Sequence, residues 1–168
     1  MPSEITVSLT PGSEREALTS FLDAQRIGLI RKVEGVGDEP ARRTPTASSL
    51  SLLGLVKHCT TWEQRWFQVI VAGRPSPDGW PEVRSEPRDA DLVPVESDTV
   101  AHWIEAYREQ FEQSNEIVAS MSLDDDCARV DIVECNVRYV LFHMIEETAR
   151  HAGHADIIRE TLDGVRGI

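Results

Sequence analysis

Cysteine is scarce in this chain, and what little there is forms no recognisable pattern. Cys59, Cys127 and Cys135 make no CxxC pair. An odd number of thiols cannot all pair, which argues against a disulfide framework and against a cysteine zinc site, and leaves plain thiols as the expectation. Long apolar runs are missing too: nothing approaches the ~20 residues that a bilayer-spanning helix requires, so no membrane association is expected. Basic charge is in short supply, with 17 Lys and Arg against 29 Asp and Glu and a net charge of −12. A surface that negative repels phosphate backbones, which argues against nucleic acid as a partner. The N-terminal stretch MPSEITVSLTPGSERE lacks the basic flank and apolar core of a signal peptide, so a cytoplasmic location and reduced cysteines are expected. Internal repeats are absent as well.

What is present fits one globular domain over residues 1–168, large enough to bury a core without covalent or metal staples. Ser13-Glu14-Arg15-Glu16 has the form of a capping box, and Leu18, Leu22, Gln25 and Leu29 follow near helical spacing, predicting a first helix over about 14–33. Glycines and prolines between Gly35 and Pro45 mark a loop. A long apolar stretch from Ser48 to Val71, halted by Gly73-Arg74-Pro75, predicts the second helix. Gly73 to Val95 is rich in proline, carries Trp80 and has no apolar period, as in a long irregular connection that borders or covers a site. With Ser97 or Asp98 as N-cap, the spacing of Trp103, Tyr107, Gln110, Ser114 and Ile117 predicts a third helix to about residue 120. Arg129 to Val133 reads as a short extended piece. Asn136 is placed to cap a last helix running to about Leu162, before Gly164. Four long helices and one long crossover loop predict an all-α four-helix bundle, a fold that builds its sites from inward side chains of facing helices. The order in which the helices pair is not determined by these patterns.

The last helix carries the chemistry. In HMIEETARHAGHADIIRE, His143, Glu147, His151 and His154 fall within a sector of about 80° on a helix of 3.6 residues per turn. Glu147 and His151, four apart, can reach one ion, with a third ligand drawn from elsewhere. His58 is the best donor, because its helical face also carries Ser51, Leu55, Trp62 and Val69 and so points inward. Two imidazoles and one carboxylate form the ligand set of an open catalytic zinc site and of non-haem iron. The absence of HExxH, and of a Glu-x-x-His pair from the last helix, where Arg150 stands at that position after Glu147, favours a mononuclear site. Each candidate also has a purely structural reading, His58 as a hydrogen-bonded core histidine and Glu147/His151 as a chance pair on a solvated helix. His154 is a fourth ligand, an outer-sphere donor or a helix-terminal imidazole, with the outer-sphere role favoured. His143 is expected in the core or at the mouth of the site, and His102 on a solvated face.

The segments LGLVKHCTTWEQRWF and VRYVLFHMIEETARHAGHAD together resemble the DinB-like superfamily and, within it, the mini-circle protein-like subfamily. The resemblance covers nearly the whole chain, with Glu146 to Asp156 as its strongest motif. It implies a four-helix bundle, frequent homodimerisation, and a divalent ion held by one histidine of the second helix and two residues four apart on the last: here His58, Glu147 and His151. The chain departs from the commonest pattern, in which both last-helix ligands are histidines followed by Arg-Gly-Gln. It has Glu147 and then Ala152-Gly153-His154, which puts His154 where that pattern has glutamine. The similar mycothiol-dependent maleylpyruvate isomerases use a His/Glu/His zinc set.

That resemblance extends to thiol S-transferases using bacillithiol or mycothiol. It implies a divalent-metal-dependent thiol transferase or isomerase acting on a small electrophile, with zinc or nickel as the expected metal, mycothiol as co-substrate and His154 as the catalytic group that orients a ligand or relays a proton. A metal-dependent hydrolase is the sister reading, because the same ion can activate water. A non-catalytic metal-binding or dimerising bundle is the alternative of a different class.

Overall fold

The computed structural model describes residues 7–83 and 89–166, and its architecture is helical throughout. The elements are α1 (Glu14–Val33), the single turn α2 (Asp38–Ala41), α3 (Leu52–Gln64) continuing into a π-helical stretch (Arg65–Val71), a 3-10 turn (Ala90–Leu92), α4 (Val100–Ala119) and α5 (Val137–Asp163). None of the described helices is long and apolar enough to cross a membrane.

Local chemistry sets the helix ends. Ser13 caps α1 by accepting from the Glu16 amide at 3.1 Å, but Glu16 reaches back to the Gly12 amide (2.7 Å) instead of closing the box on Ser13. Ser51 caps α3 through the Gly54 amide, so the second helix starts at Leu52, four residues later than the apolar run from Ser48 suggests. Thr99, not Ser97 or Asp98, caps α4, because the Asp98 carboxylate is engaged elsewhere. Asn136 caps α5, and Gly164, at φ 75°, ends it in the left-handed conformation that glycine adopts without strain. Arg129 to Val133 forms turns instead of an extended piece; extended pairing here is limited to a single bridge between Asp126 and Asn136.

The pairing order, open in the sequence, follows from which halves share a core. One apolar cluster joins Leu29 and Val33 of α1, Leu52 and Leu55 of α3, Ile104 and Tyr107 of α4, and Ala155 and Ile158 of α5. The other joins Leu18 and Leu22, Phe67 and Val71, Ile117 and Val118, and Val137, Val140 and Leu141. The first halves of α3 and α4 therefore meet the second halves of α1 and α5. α1 runs parallel to α5, α3 parallel to α4, and the two pairs run antiparallel to each other. Parallel neighbours cannot be joined by a short turn: the chain leaving α3 has to travel back along helices ~30 Å long before α4 can begin. This is why the crossover from Ala72 to Thr99 is long, and why its last part lies beside the start of α3. The crossover's residues 84–88 lie outside the described residues.

Candidate functional site

His58 on α3 and Glu147 and His151 on α5 line one cavity of about 400 Å³, with His143 and the indoles of Trp62 and Trp66 on its wall. α3 and α5 face each other here because Leu55 and Cys59 on one, and Ala152 and Ala155 on the other, are buried in the same cluster. The spacing that puts these apolar residues inward carries His58 and His151 to the edge of the core. Their rings meet edge to face with centroids 4.8 Å apart.

His151 is the most constrained of the group. Its Nε2 lies 3.8 Å from Glu147 Oε2, and its Nδ1 lies 3.4 Å from Nδ1 of His154, one turn on. Burial, reinforced by the neighbouring His58, pulls the His151 pKa down to about 4, against the weaker pull of the Glu147 charge. The ring is thus neutral at physiological pH, with a lone pair free to accept a proton or a cation. Glu147 is only partly enclosed, and its Oε1 is held by Arg150 Nη1 at 2.7 Å. His154 does not line the cavity and touches it only through His151. His143 sits on the cavity wall, its ring 4.4 Å from that of Trp66 and stacked on Tyr139, while His102 is exposed on α4 against Trp103.

The side chains share the cavity without closing on a single point: among the described residues, no three His, Cys, Asp or Glu groups are gathered tightly enough to enclose an ion. Glu147 turns toward Arg150, away from a common point, while the Nδ1 of His58 is engaged by Asp91 Oδ2 at 3.1 Å. Asp91 comes from the 3-10 turn of the crossover, and its other oxygen is buried without a hydrogen-bond partner among the described residues. Burial pushes the Asp91 carboxyl up, but the hydrogen bond and charge of His58, with the charge of Arg65, outweigh it and leave the group below the ordinary carboxylate range. Sequence reasoning missed Asp91, since an acid in an aperiodic loop carries no signal of what it touches.

The crossover also packs against Trp62, a residue of the cavity wall. The indole of Trp80 packs edge to face on Trp62, with centroids 5.8 Å apart, and the Arg65 guanidinium lies near both rings, 4.9 Å from Trp62 and 5.3 Å from Trp80, while bonding Asp78. Cys59 lines the cavity, but burial, together with the charges of Glu63, Glu147 and Asp91, pushes its thiol far up, so it is no thiolate at neutral pH. Cys127 and Cys135 lie outside the cavity, their sulfurs 3.7 Å apart and neither engaged in a disulfide.

Comparison with known proteins agrees with this architecture. A conserved protein from Enterococcus faecalis, solved as a crystal structure, superposes with a TM-score of 0.64 at 14% identity, covering 91% of this chain and 99% of that one; at this identity the likeness speaks for the fold. No curated protein matches the sequence. The mycothiol-S-transferase family model matches residues 17–164, from the first turn of α1 to the glycine that ends α5. A match over that span, on an all-α bundle of DinB-like fold, places the chain in the mycothiol-S-transferase family.

Proposed function

We propose that the protein is a divalent-metal-dependent S-transferase that joins a low-molecular-weight thiol of the mycothiol type to a small electrophile. The observation that carries this reading is the grouping of His58, Glu147 and His151 around one cavity in a member of this family. The residues suit a divalent ion: two imidazoles, one of them kept neutral by its surroundings, with a carboxylate beside them and, next to His58, a buried oxygen of Asp91 that has no partner among the described residues. His58, Glu147 and His151 would hold the ion, and zinc or nickel matches their softness. When bound, such an ion lowers the pKa of a thiol and supplies thiolate at neutral pH.

The protein's own groups do the rest. Burial pushes the Cys59 thiol up, which favours a nucleophilic sulfur that arrives with the co-substrate. Trp62 and Trp66 offer an apolar wall that favours an uncharged or aromatic electrophile and keeps water from competing with sulfur. His154, in contact with His151 and outside the cavity, orients that ring or relays its proton. By the same family resemblance we propose a homodimer, which sedimentation would test.

The decisive experiment combines metal analysis with turnover. Native protein is expected to carry one divalent ion per chain, and a variant with His58, Glu147 and His151 all replaced by Ala to carry none while staying helical. Conjugation of an electrophile such as a chloro-dinitroarene is expected only with both metal and added thiol. Equal metal content in variant and parent refutes the ligand set, and turnover with metal but without thiol replaces the transferase reading with a hydrolase.

A further inference from the structure

The crossover does more than connect α3 to α4. Its returning end is seated on the first turns of α3 by three contacts in sequence. At Gly54 there is no side chain, and the Leu92 carbonyl fills the space: a Cβ there would stand 2.0 Å from the Leu92 oxygen. At Lys57 the ammonium reaches the Val93 carbonyl at 3.4 Å and the Asp98 carboxylate at 2.8 Å. At His58, one turn after Gly54 and on the same face, Nδ1 meets Asp91 Oδ2 at 3.1 Å. The close approach allowed at Gly54 sets how near the 90–92 turn can come, and hence whether Asp91 reaches the imidazole.

An ionised carboxylate can only accept, so a hydrogen bond between it and Nδ1 requires the proton on Nδ1. That leaves Nε2 as the ring's lone-pair nitrogen. A histidine that serves as a ligand needs this arrangement: one nitrogen tied to an outer group that fixes tautomer and ring orientation, the other free. His151 has different partners, Glu147 and His154, so no other described residue does this for His58. The second oxygen of Asp91 is buried and has no hydrogen-bond partner among the described residues, and the group is 12% exposed, so the carboxylate is enclosed instead of being one of many solvated acids on a chain of charge −12.

We propose that Asp91 is a positioning residue of the site, accepting a hydrogen bond from Nδ1–H of His58 so that Nε2 is the nitrogen presented for ligation, and that Gly54 is required because it lets the 90–92 turn sit close enough to do so. This rests on the reading of His58 as a ligand in the Proposed function. It extends the site to a residue on the crossover, which makes that segment part of the catalytic architecture.

The test reads the imidazole directly and does not depend on turnover. In metal-free protein labelled with 15N at histidine, His58 is expected to show the Nδ1–H tautomer at pH 7.5. Asp91→Ala is expected to shift it toward the Nε2–H form that free imidazole prefers and to weaken zinc binding by about 10–100-fold. Asp91→Asn, which keeps a neutral acceptor oxygen, is expected to restore most of the tautomer and part of the affinity. Gly54→Ala is expected to move both readouts in the same direction as Asp91→Ala, with Asp91 unaltered. An unchanged His58 tautomer in Asp91→Ala overturns the proposal, as does loss of zinc as complete as that in His58→Ala, which would make Asp91 a ligand itself. If the parent protein shows the Nδ1–H tautomer, lost in Asp91→Ala, yet binds no divalent ion, the pairing stands while the metal reading fails.

Discussion

Arg26 of α1 and Glu63 of α3, both wholly buried, form a two-pronged ion pair, with Nη2 to Oε1 at 2.5 Å and Nε to Oε2 at 3.1 Å. The guanidinium also reaches Asp23 at 2.6 Å and Asn115 Oδ1 at 2.8 Å, and the rings of Phe67 and Phe111 lie within 5.8 Å of it. One buried side chain thus ties α1, α3 and α4 together between the two apolar clusters. Burial opposes ionisation of both partners: it lifts the Glu63 carboxyl above its ordinary value despite Arg26, whereas for the guanidinium the charge and hydrogen bond of Glu63 outweigh it and raise the Arg26 pKa. Glu63 lies only five residues beyond His58, so the pair fixes the rotation of α3 about its axis.

Removing one member of such a pair leaves an uncompensated buried charge, so Arg26→Ala and Glu63→Ala are each expected to lose about 3–5 kcal/mol in chemical denaturation. Replacing both with apolar residues of similar volume, Arg26→Met with Glu63→Leu, is expected to recover most of that loss. A double variant as unstable as either single one would show that the pair contributes more than mutual neutralisation.

Asp98 does for the crossover what Arg26 does for the core. Nearly buried, its carboxylate accepts from Lys57 Nζ (2.8 Å), the Val95 amide (2.7 Å) and Trp103 Nε1 (2.9 Å). Burial alone would raise its pKa, but these three donors hold it below the ordinary carboxylate value. Its contribution to stability is therefore present above pH ~3.9 and fades as pH falls through the lower folded-state value. Asp98→Ala is expected to cost about 3 kcal/mol at pH 7. A loss under ~1 kcal/mol would mean that water replaces all three donors.

The depressed pKa of His151 gives a pH dependence of its own. The folded metal-free chain holds this ring neutral down to about pH 4, whereas the unfolded chain takes up the proton near 6.5. Between those values the unfolded state binds more protons, so this contribution is complete above pH 6.5 and is lost as pH falls toward 4. The melting temperature of metal-free parent protein should drop across that window more than that of His151→Gln. Parallel curves for the two proteins would contradict the shift.

His154→Gln puts at this position the residue that the commonest related pattern carries. Since His154 touches His151 and does not line the cavity, the variant is expected to keep its metal and to change rate or thiol preference by about 10-fold or less. Complete loss of metal in this variant would show that His154 is a ligand and that the three-residue set is incomplete.

Much of this was legible in the sequence because it is local. α1 matches its predicted span, and α5 ends one residue beyond the expected one, since caps such as Ser13 and Asn136 and stops such as Gly73 and Gly164 act on their own neighbours. The shared face of His143, Glu147, His151 and His154 needed only the helical repeat. What tertiary structure alone decided is everything that joins segments distant in the chain. The parallel pairing of α3 with α4 comes from which apolar stripes meet, and several arrangements would bury the same stripes. Nothing local in the sequence marks Arg26 or Asp91, because their partners, Glu63 and His58, lie 37 and 33 residues away. The N-cap of α4 shifted to Thr99 because the Asp98 carboxylate serves Lys57 on another helix. Periodicity says which way a side chain faces along its own helix, and only the packing of whole helices determines what stands opposite.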